Sequence, residues 1–321
     1  MTLNKYNFFL IEQQEEIITK LSNKVSPLKY CYMINAKEWI EFCNNEHSMD
    51  FIQSDEQKLL TDNLENIFNK KELKNKKLHI IELGCGEGKD LYSIVTYCDS
   101  LNHKISILAV DLSEDFLNLV NTKISANFNM SINCCFLDFE EKFNDIDNHI
   151  ESQVDKSVKN SNLKSYYIML GNTLGNLNDY MLFLRRVFEK MKKGDELILG
   201  VHLYNSEFHE NFIKYYTSHE NMLFDTSLLR YFGLKNLNGN FIVEFNDKNR
   251  SFNTYLQCRE DFDLKVFNST IDFKKGEKIL LCESKKFNSN ELEEELEEIG
   301  FTNVKCFLNE DKTQLLLNAG K

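Results

Sequence analysis

The feature of this sequence that most constrains its fold is an apolar run that ends in a glycine-rich turn. Residues 80–83 read Ile-Ile-Glu-Leu, residues 84–88 read Gly-Cys-Gly-Glu-Gly, and a segment of helical character follows. Glycines at alternate positions let the backbone turn tightly and approach a ligand where a Cβ atom would clash. The pattern predicts a buried strand, a ligand-binding turn and a helix, which together begin a βαβ unit.

The same alternation of short apolar runs and helical spacing continues as far as Leu199. It predicts an α/β protein with a doubly wound parallel sheet. The predicted strands cover residues 78–83, 105–110, 132–137, 166–170 and 196–201. A capped helix that begins after Asn288 and two short strands, 304–308 and 314–317, complete the sheet.

The remaining segments lie outside this sheet and divide the chain into four parts. We expect residues 1–75 to form a helical segment of a substrate lobe, and residues 76–202 to form the ligand-binding core. Residues 203–287 are expected to form an inserted α+β substrate lobe, in which alternating apolar residues predict a hairpin over 241–256. Residues 288–321 complete the core sheet.

The composition argues against several classes of partner. The chain has 38 Lys and Arg against 50 Asp and Glu, a net charge of -12, and it has no basic cluster backed by aromatic residues. We therefore expect a small-molecule or protein partner and no nucleic acid, because phosphate binding needs a basic face. The apolar run 7–11 is too short for a signal peptide or a membrane span, which predicts a cytoplasmic protein without membrane contact.

The cysteines and histidines give no metal or disulfide pattern. The nine cysteines form no CxxC pair and the seven histidines have no i, i+4 spacing. We expect the cysteines to be reduced core residues and expect no bound metal. The sequence leaves the oligomeric state open.

Acidic residues stand at the ends of successive predicted strands, where doubly wound sheets bind ligands. Glu82 precedes the glycine turn, Asp111 ends the second strand, and Asp138 with Phe139 follows the third. Asp111 can accept hydrogen bonds from both hydroxyls of a ribose. Ser113 is placed to cap the next helix, which leaves Asp111 free to face a ligand. Asp138 can accept from an adenine amino group, although an acid after a strand is also a common turn residue.

The fourth strand leads into a loop that reads Leu-Gly-Asn-Thr-Leu-Gly-Asn over residues 170–176. The only proline of the chain is Pro27, so the proline-containing loops that nucleobase methyltransferases use are absent. Together with the acidic charge, this makes a nucleobase substrate improbable.

At this loop the sequence resembles the histidine-specific N-methyltransferase family. That family includes histidine Nα-methyltransferases of ergothioneine synthesis and fungal dimethylallyltryptophan N-methyltransferases. The resemblance rests on ELGCG, VDLS, LDF, LGNTLGN and GDELILGVHL, which begin at residues 82, 110, 137, 170 and 194. It implies a class I, Rossmann-like methyltransferase that uses S-adenosylmethionine (SAM) to methylate an amine.

The resemblance also assigns roles to individual residues. It implies that Gly84, Asp111, Asp138 and Phe139 contact the cofactor. The glycine-turn motif itself adds Glu82, Gly86 and Gly88 to the expected cofactor-binding residues. The resemblance implies that Asn176 holds the amino acid portion of the acceptor, and that a tyrosine after the fifth strand binds its carboxylate. Tyr215 is nearer the expected register than Tyr216, and the alternative for both is helix packing.

The chain departs from the family at several of these positions. Asp90 stands where the family has a lysine, and the sequence leaves open whether Lys89 substitutes for it. Phe51 stands where a substrate-binding tyrosine is expected. The family reads Glu-x-Ser-x-x-Phe in a late strand; here Ser284 is in register, but Cys282 replaces the glutamate and the acid is Glu283.

The shift from residue 282 to residue 283 bears on the substrate. Neighbours on a regular strand face opposite sides, so Glu283 cannot replace the missing glutamate unless a bulge intervenes. We therefore expect an apolar or aromatic amino acid, or a related primary amine, to be a better acceptor than histidine.

Two other functions remain open at this point. An NAD-dependent oxidoreductase shares the glycine turn and the acid after the second strand, but it more often has GxGxxG, where this chain has Lys89. The other is a catalytically inactive methyltransferase fold that binds a cofactor or a partner protein, and the changes at Phe51 and Asp90 keep this alternative open. If the chain is an enzyme, Asn176 and Tyr215 are the expected catalytic residues.

Overall fold

The computed structural model describes residues 9–43, 54–69, 73, 76–128, 130–146, 149–150, 163–235 and 239–321. These residues group into two units. We call the unit Cys43–Phe208 with Lys286–Lys321 the core, and the unit formed by the chain up to Phe42 with His209–Lys285 the lobe.

The core contains a seven-stranded sheet that confirms the predicted α/β class. Its strands are β1 (Lys77–Leu83), β2 (Ile105–Asp111), β3 (Asn133–Phe136), β4 (Leu163–Met169), β5 (Glu196–His202), β11 (Thr302–Leu308) and β12 (Gln314–Gly320). Their order is β3-β2-β1-β4-β5-β12-β11. The first five strands are parallel, and β12 is antiparallel to both β5 and β11.

Helices cover both faces of this sheet because the strands are apolar on both sides. The core helices are α4 (Ser54–Ile67), α5 (Lys89–Ser100), α6 (Glu114–Phe128), α7 (Phe139–Lys142), α8 (Tyr180–Lys190) and α12 (Ser289–Ile299). Along β1, Ile81 and Leu83 join one buried cluster with residues of α8 and α12. Leu78 and Ile80 point to the other face and join a cluster with residues of α4, α5 and α6.

The lobe combines short helices with antiparallel strands. Its helices are α1 (Ile11–Ser22), α2 (Lys29–Ile34), α3 (Ala36–Cys43), α9 (His209–Tyr216), α10 (His219–Asp225) and α11 (Ser227–Tyr231). Its strands are β6 (Gly239–Asn246), β7 (Ser251–Cys258), β8 (Phe262–Val266), β9 (Ser269–Phe273) and β10 (Lys278–Lys285). They form a sheet β10-β7-β6 and a hairpin β8-β9. The predicted hairpin is confirmed, since Val243 lies opposite Thr254 and Phe245 lies opposite Phe252.

The boundary between the units differs from the sequence boundary at residue 75. Helix α4 belongs to the core because its apolar face is buried there: Leu60, Leu64 and Ile67 lie in the same cluster as Ile80 of β1 and Leu316 of β12. The lobe therefore takes only the chain before residue 43 from the N-terminal region.

No disulfide joins any two of the nine cysteines, all of which lie in the described ranges. Cys134 and Cys306 are exposed, whereas the sequence predicts core positions for all nine. Within the described ranges, no helix has the length and apolarity that crossing a membrane requires. The same residues contain no group of three or more His, Cys, Asp or Glu side chains arranged to hold a metal ion.

Candidate active site

The glycine turn connects β1 to α5, and its glycines do different things. All three have positive φ, at 77° for Gly84, 48° for Gly86 and 68° for Gly88. A Cβ atom on Gly88 would lie 2.7 Å from Cγ2 of Val120 on α6, whereas a Cβ on Gly86 would meet nothing within 4 Å. Gly86 therefore faces open space that a ligand can occupy, and Gly88 permits close helix packing.

Gly84 lies where three loops converge. A Cβ atom there would be 3.3 Å from Cγ2 of Thr173 and 3.7 Å from Cζ of Phe139. Thr173 belongs to the loop after β4 and Phe139 follows β3, so the carboxyl ends of these strands meet as the sequence predicts. Phe139 is half-buried, with its ring 5.8 Å from that of Phe183.

Asp111 at the end of β2 is buried and bonded to the backbone. Its Oδ2 accepts from the Gly86 amide at 3.1 Å, and its Oδ1 accepts from the Ser113 amide at 2.9 Å. Ser113 Oγ in turn accepts from the Phe116 amide at 3.4 Å, as expected for a cap. Burial raises the pKa of Asp111 to about 6, although these hydrogen bonds lower it in part. The sequence leaves Asp111 free to face a ligand, but here the protein already binds both of its oxygens, since Cys85 Sγ also donates to Oδ2 at 3.9 Å.

Glu82, at the end of β1, holds an unsatisfied carboxylate oxygen. Its Oε2 is buried and accepts no hydrogen bond. Burial raises the pKa of Glu82 well above its ordinary value, and repulsion from Asp90 and Asp111 raises it further. The positive charge of Lys123 lowers this pKa, but its effect is smaller. A buried carboxylate in this surrounding is costly, so a cationic ligand would be stabilised here.

The position that the family fills with lysine adds to this negative potential. Asp90 is half-buried in the first turn of α5, and burial raises its pKa to about 6. Lys89 pairs with Glu87, Nζ to Oε1 at 2.6 Å.

Asp138 caps the short helix α7, a role that was not expected from the sequence. It is half-buried at the N-terminus of α7, where its Oδ1 accepts from the Glu141 amide at 3.3 Å.

The loop after β4 is held tightly and ends in an unpaired acceptor. Asn172 has φ 55°, and its Oδ1 accepts from the His202 amide at 2.9 Å. Four residues further on, Asn176 Oδ1 is buried and accepts no hydrogen bond. Since an amide oxygen is a hydrogen-bond acceptor, this atom is suited to an N–H group of a ligand.

Glu56 on α4 is a functional candidate that the sequence does not reveal. Both of its carboxylate oxygens accept from the Gly171 amide, at 2.9 and 3.1 Å. It is buried against Gly200, where a Cβ atom would lie 1.8 Å from its Oε1. Burial, and then repulsion from Asp90, raises its pKa to about 8. An acid in the first turn of a helix is ordinary, so no local signal marks this residue.

In the lobe, Tyr216 contacts the predicted β10 residues. Tyr216 is buried and shares a side-chain hydrogen bond with Ser284, and it lies close enough to Cys282 to interact electrostatically. Tyr215 is half-buried, with its ring 5.0 Å from Tyr216 and 5.4 Å from Phe42.

Strand β10 has a bulge, but it does not turn Glu283 inward. The register shifts between Leu280 and Cys282 and is regular from Cys282 to Lys285. Cys282 and Ser284 are buried, whereas Glu283 is exposed and accepts from Asn249 Nδ2 at 2.6 Å. Glu283 therefore lies on the opposite face from Ser284. The remaining predicted substrate residue, Phe51, lies outside the described residues.

The chain is a class I SAM-dependent methyltransferase, as its match to a family model shows. Residues 14–319 match the family model described as histidine-specific methyltransferase, SAM-dependent. The chain belongs to this family, which removes the NAD-dependent oxidoreductase alternative. Membership implies a small-molecule acceptor.

The chain is similar to several solved structures at low sequence identity. The selenomethionine-substituted CurJ carbon methyltransferase is 14% identical, with a TM-score of 0.51 over 96% of this chain and 65% of that chain. A SAM-dependent methyltransferase from Clostridium acetobutylicum ATCC 824 is 12% identical, with a TM-score of 0.44 over 88% of this chain and 97% of that chain. Magnesium protoporphyrin IX methyltransferase (ChlM) from Synechocystis PCC 6803, with bound S-adenosylhomocysteine, is 10% identical with a TM-score of 0.46, covering 92% and 98% of the two chains. No curated protein sequence matches the chain.

The residues of the core fit the cofactor. SAM carries a positive sulfonium and an ammonium group, and the unsatisfied Glu82 Oε2 lies in a surrounding that favours a cation. The open space beside Gly86 leaves room for a ligand against the turn.

Proposed function

We propose that this methyltransferase methylates the amine of an amino acid or of a related small molecule. The observation that carries the proposal is the buried, unpaired Asn176 Oδ1 in the loop after β4. An unpaired buried acceptor costs free energy, and an amine that donates an N–H to it would recover that cost. The net charge of -12 supports a small acceptor over a polyanion.

The chemistry asks for alignment and an unprotonated amine. SAM supplies an electrophilic methyl group, and the amine attacks it in line, so no covalent nucleophile is required of the protein. Alignment of this kind contributes on the order of 7 to 11 kcal/mol to lowering the barrier. In our proposal Asn176 orients the amine, and Tyr215 or Tyr216 binds the acceptor carboxylate through its hydroxyl.

We further propose that free histidine is not the best acceptor. Cys282 has replaced the glutamate that the resemblance implies, and Glu283 is exposed on the other face of β10. Loss of a charge-assisted hydrogen bond to the imidazole costs about 1.5 to 3 kcal/mol, or roughly 10- to 150-fold in specificity.

The test is transfer of a labelled methyl group from SAM to a panel of amino acids and primary amines, with Asn176→Ala beside the wild type. The variant should lose most turnover while its affinity for S-adenosylhomocysteine, measured by calorimetry, stays nearly unchanged. Asn178→Ala, at an exposed position two residues away, is the matched control. Cofactor affinity that falls in parallel with turnover would assign Asn176 a structural role. Binding of SAM without transfer to any amine would contradict the proposed reaction.

A further inference from the structure

The lobe buries a carboxylate that neither the motifs nor the proposed reaction uses. Asp225, the last residue of α10, is 2% exposed. Its Oδ2 accepts from Thr254 Oγ1 and from Asn221 Nδ2, each at 3.0 Å. The described residues direct no hydrogen bond at its other oxygen, Oδ1.

No cation of the described chain balances this carboxylate. Arg230 interacts electrostatically with the neighbouring Cys31 thiol. Its guanidinium donates hydrogen bonds to Glu38 and to the Leu223 carbonyl rather than to Asp225. Burial raises the pKa of Asp225 to about 7, and only the hydrogen bonds from Thr254 and Asn221 oppose it. Because a buried, unpaired charge costs several kcal/mol, the site gains from a cation that arrives with a ligand.

The carboxylate lies beside the residues of β10 that are expected to bind the acceptor. Thr254, which donates to Asp225, is directly opposite Cys282 on the neighbouring strand. Asp225 also interacts electrostatically with the hydroxyl of Tyr216, and that hydroxyl is hydrogen-bonded to Ser284. We call these five residues, Tyr216, Asp225, Thr254, Cys282 and Ser284, the Asp225 cluster. The cluster places an acid beside Cys282, which bears on the expectation of an apolar or aromatic acceptor.

We infer that Asp225 determines acceptor specificity by binding a cationic nitrogen group of the acceptor other than the amine that is methylated. The inference rests on the proposed function and names its substrate class: amino acids or amines with a basic side group. Asp225 Oδ1 accepts from the cationic group while Thr254 and Asn221 hold the carboxylate in place. An ammonium or guanidinium group suits a carboxylate in this position, since each donates several charge-assisted hydrogen bonds.

The test compares ligands that differ only in the basic group. Binding of lysine and of norleucine to the full-length protein with S-adenosylhomocysteine bound is measured by calorimetry, with arginine, histidine and phenylalanine as further probes. We expect lysine or arginine to bind roughly 10-fold or more tightly than norleucine. Asp225→Asn keeps an oxygen for Thr254 but removes the charge, so it should abolish this difference and leave norleucine and cofactor binding unchanged. Asp247→Asn, at an exposed loop of the same unit, controls for net charge.

Each outcome decides the inference separately from the reaction. Norleucine or phenylalanine binding as tightly as every basic probe would overturn it, as would an equal loss for basic and neutral probes in Asp225→Asn, which marks a structural role. If Asp225→Asn is too unstable to purify, Asp225→Glu keeps the charge, and retention of the basic preference in that variant supports the inference. Methylation of neutral amines only would refute the role of Asp225 and leave the proposed amine methylation standing. Binding of basic probes without transfer would do the reverse.

Discussion

Replacement of Glu56 by glutamine should make the protein progressively more stable than the wild type as the pH rises. Glutamine keeps an oxygen that accepts from the Gly171 amide and is neutral at every pH. In the wild type, burial raises the pKa of Glu56 from 4.5 to about 8. The folded state therefore holds the proton more tightly than the unfolded state, and the stability from this group is complete below pH 4.5 and is lost as the pH rises through about 8.

The size of this effect follows from the displacement of the pKa. One pH unit corresponds to about 1.4 kcal/mol, so the difference in free energy of unfolding between Glu56→Gln and the wild type should move in favour of the variant by about 3 to 5 kcal/mol between pH 5 and pH 9. Part of the displacement comes from repulsion by Asp90, so protonation of Asp90 reduces it on the acidic side.

Urea unfolding of both proteins across this pH range measures the effect. Asp62→Asn is the matched control, because Asp62 is on the same helix but exposed. The free energy of unfolding of this variant should change with pH in the same way as that of the wild type. A Glu56→Gln curve that also runs parallel to the wild type would show that Glu56 is not held in a buried, protonated state, and the reasoning from burial would be wrong.

Three further predictions concern the cofactor turn and the lobe. Asp111→Ala should weaken binding of S-adenosylhomocysteine by about 1.5 to 3 kcal/mol in calorimetry, and tighter binding of NAD than of the methyl donor would contradict the site. Gly88→Ala should destabilise the protein by about 1 to 3 kcal/mol in thermal unfolding, because the new Cβ meets Val120 at 2.7 Å in a positive-φ backbone. Val120→Ala should restore part of that loss, and no restoration would place the strain elsewhere. Cys282→Glu should raise the specificity constant for histidine relative to other amino acids; histidine ranking first in the wild type, with no gain in the variant, would refute the argument from β10.

Much of the core could be predicted because its signals are local. An apolar run, a glycine turn and a helix lie within about twenty consecutive residues around Gly84, so the order of β1, the turn and α5 follows from backbone and burial preferences. The alternation that predicts the β6-β7 hairpin is equally local, and its register puts Val243 opposite Thr254 as the pattern requires. The sequence boundary at residue 75 separates helix α4 from the core, to which it belongs. An amphipathic pattern predicts that one face of a helix is buried, but it does not identify the element against which that face packs.

The α/β class, the turn at residues 84–88 and the acids at the strand ends can be read from the sequence, because each depends on neighbours along the chain. Which buried side chains meet depends on the packing of elements that are distant in the chain. That packing brings Glu56 of α4 to the Gly171 amide, 115 positions away, and Asp225 to Thr254 in another element. It also brings Tyr216 of α9 to Ser284 of β10. Contacts of this kind depend on how separate elements pack, and burial then sets the charge state of the groups they enclose.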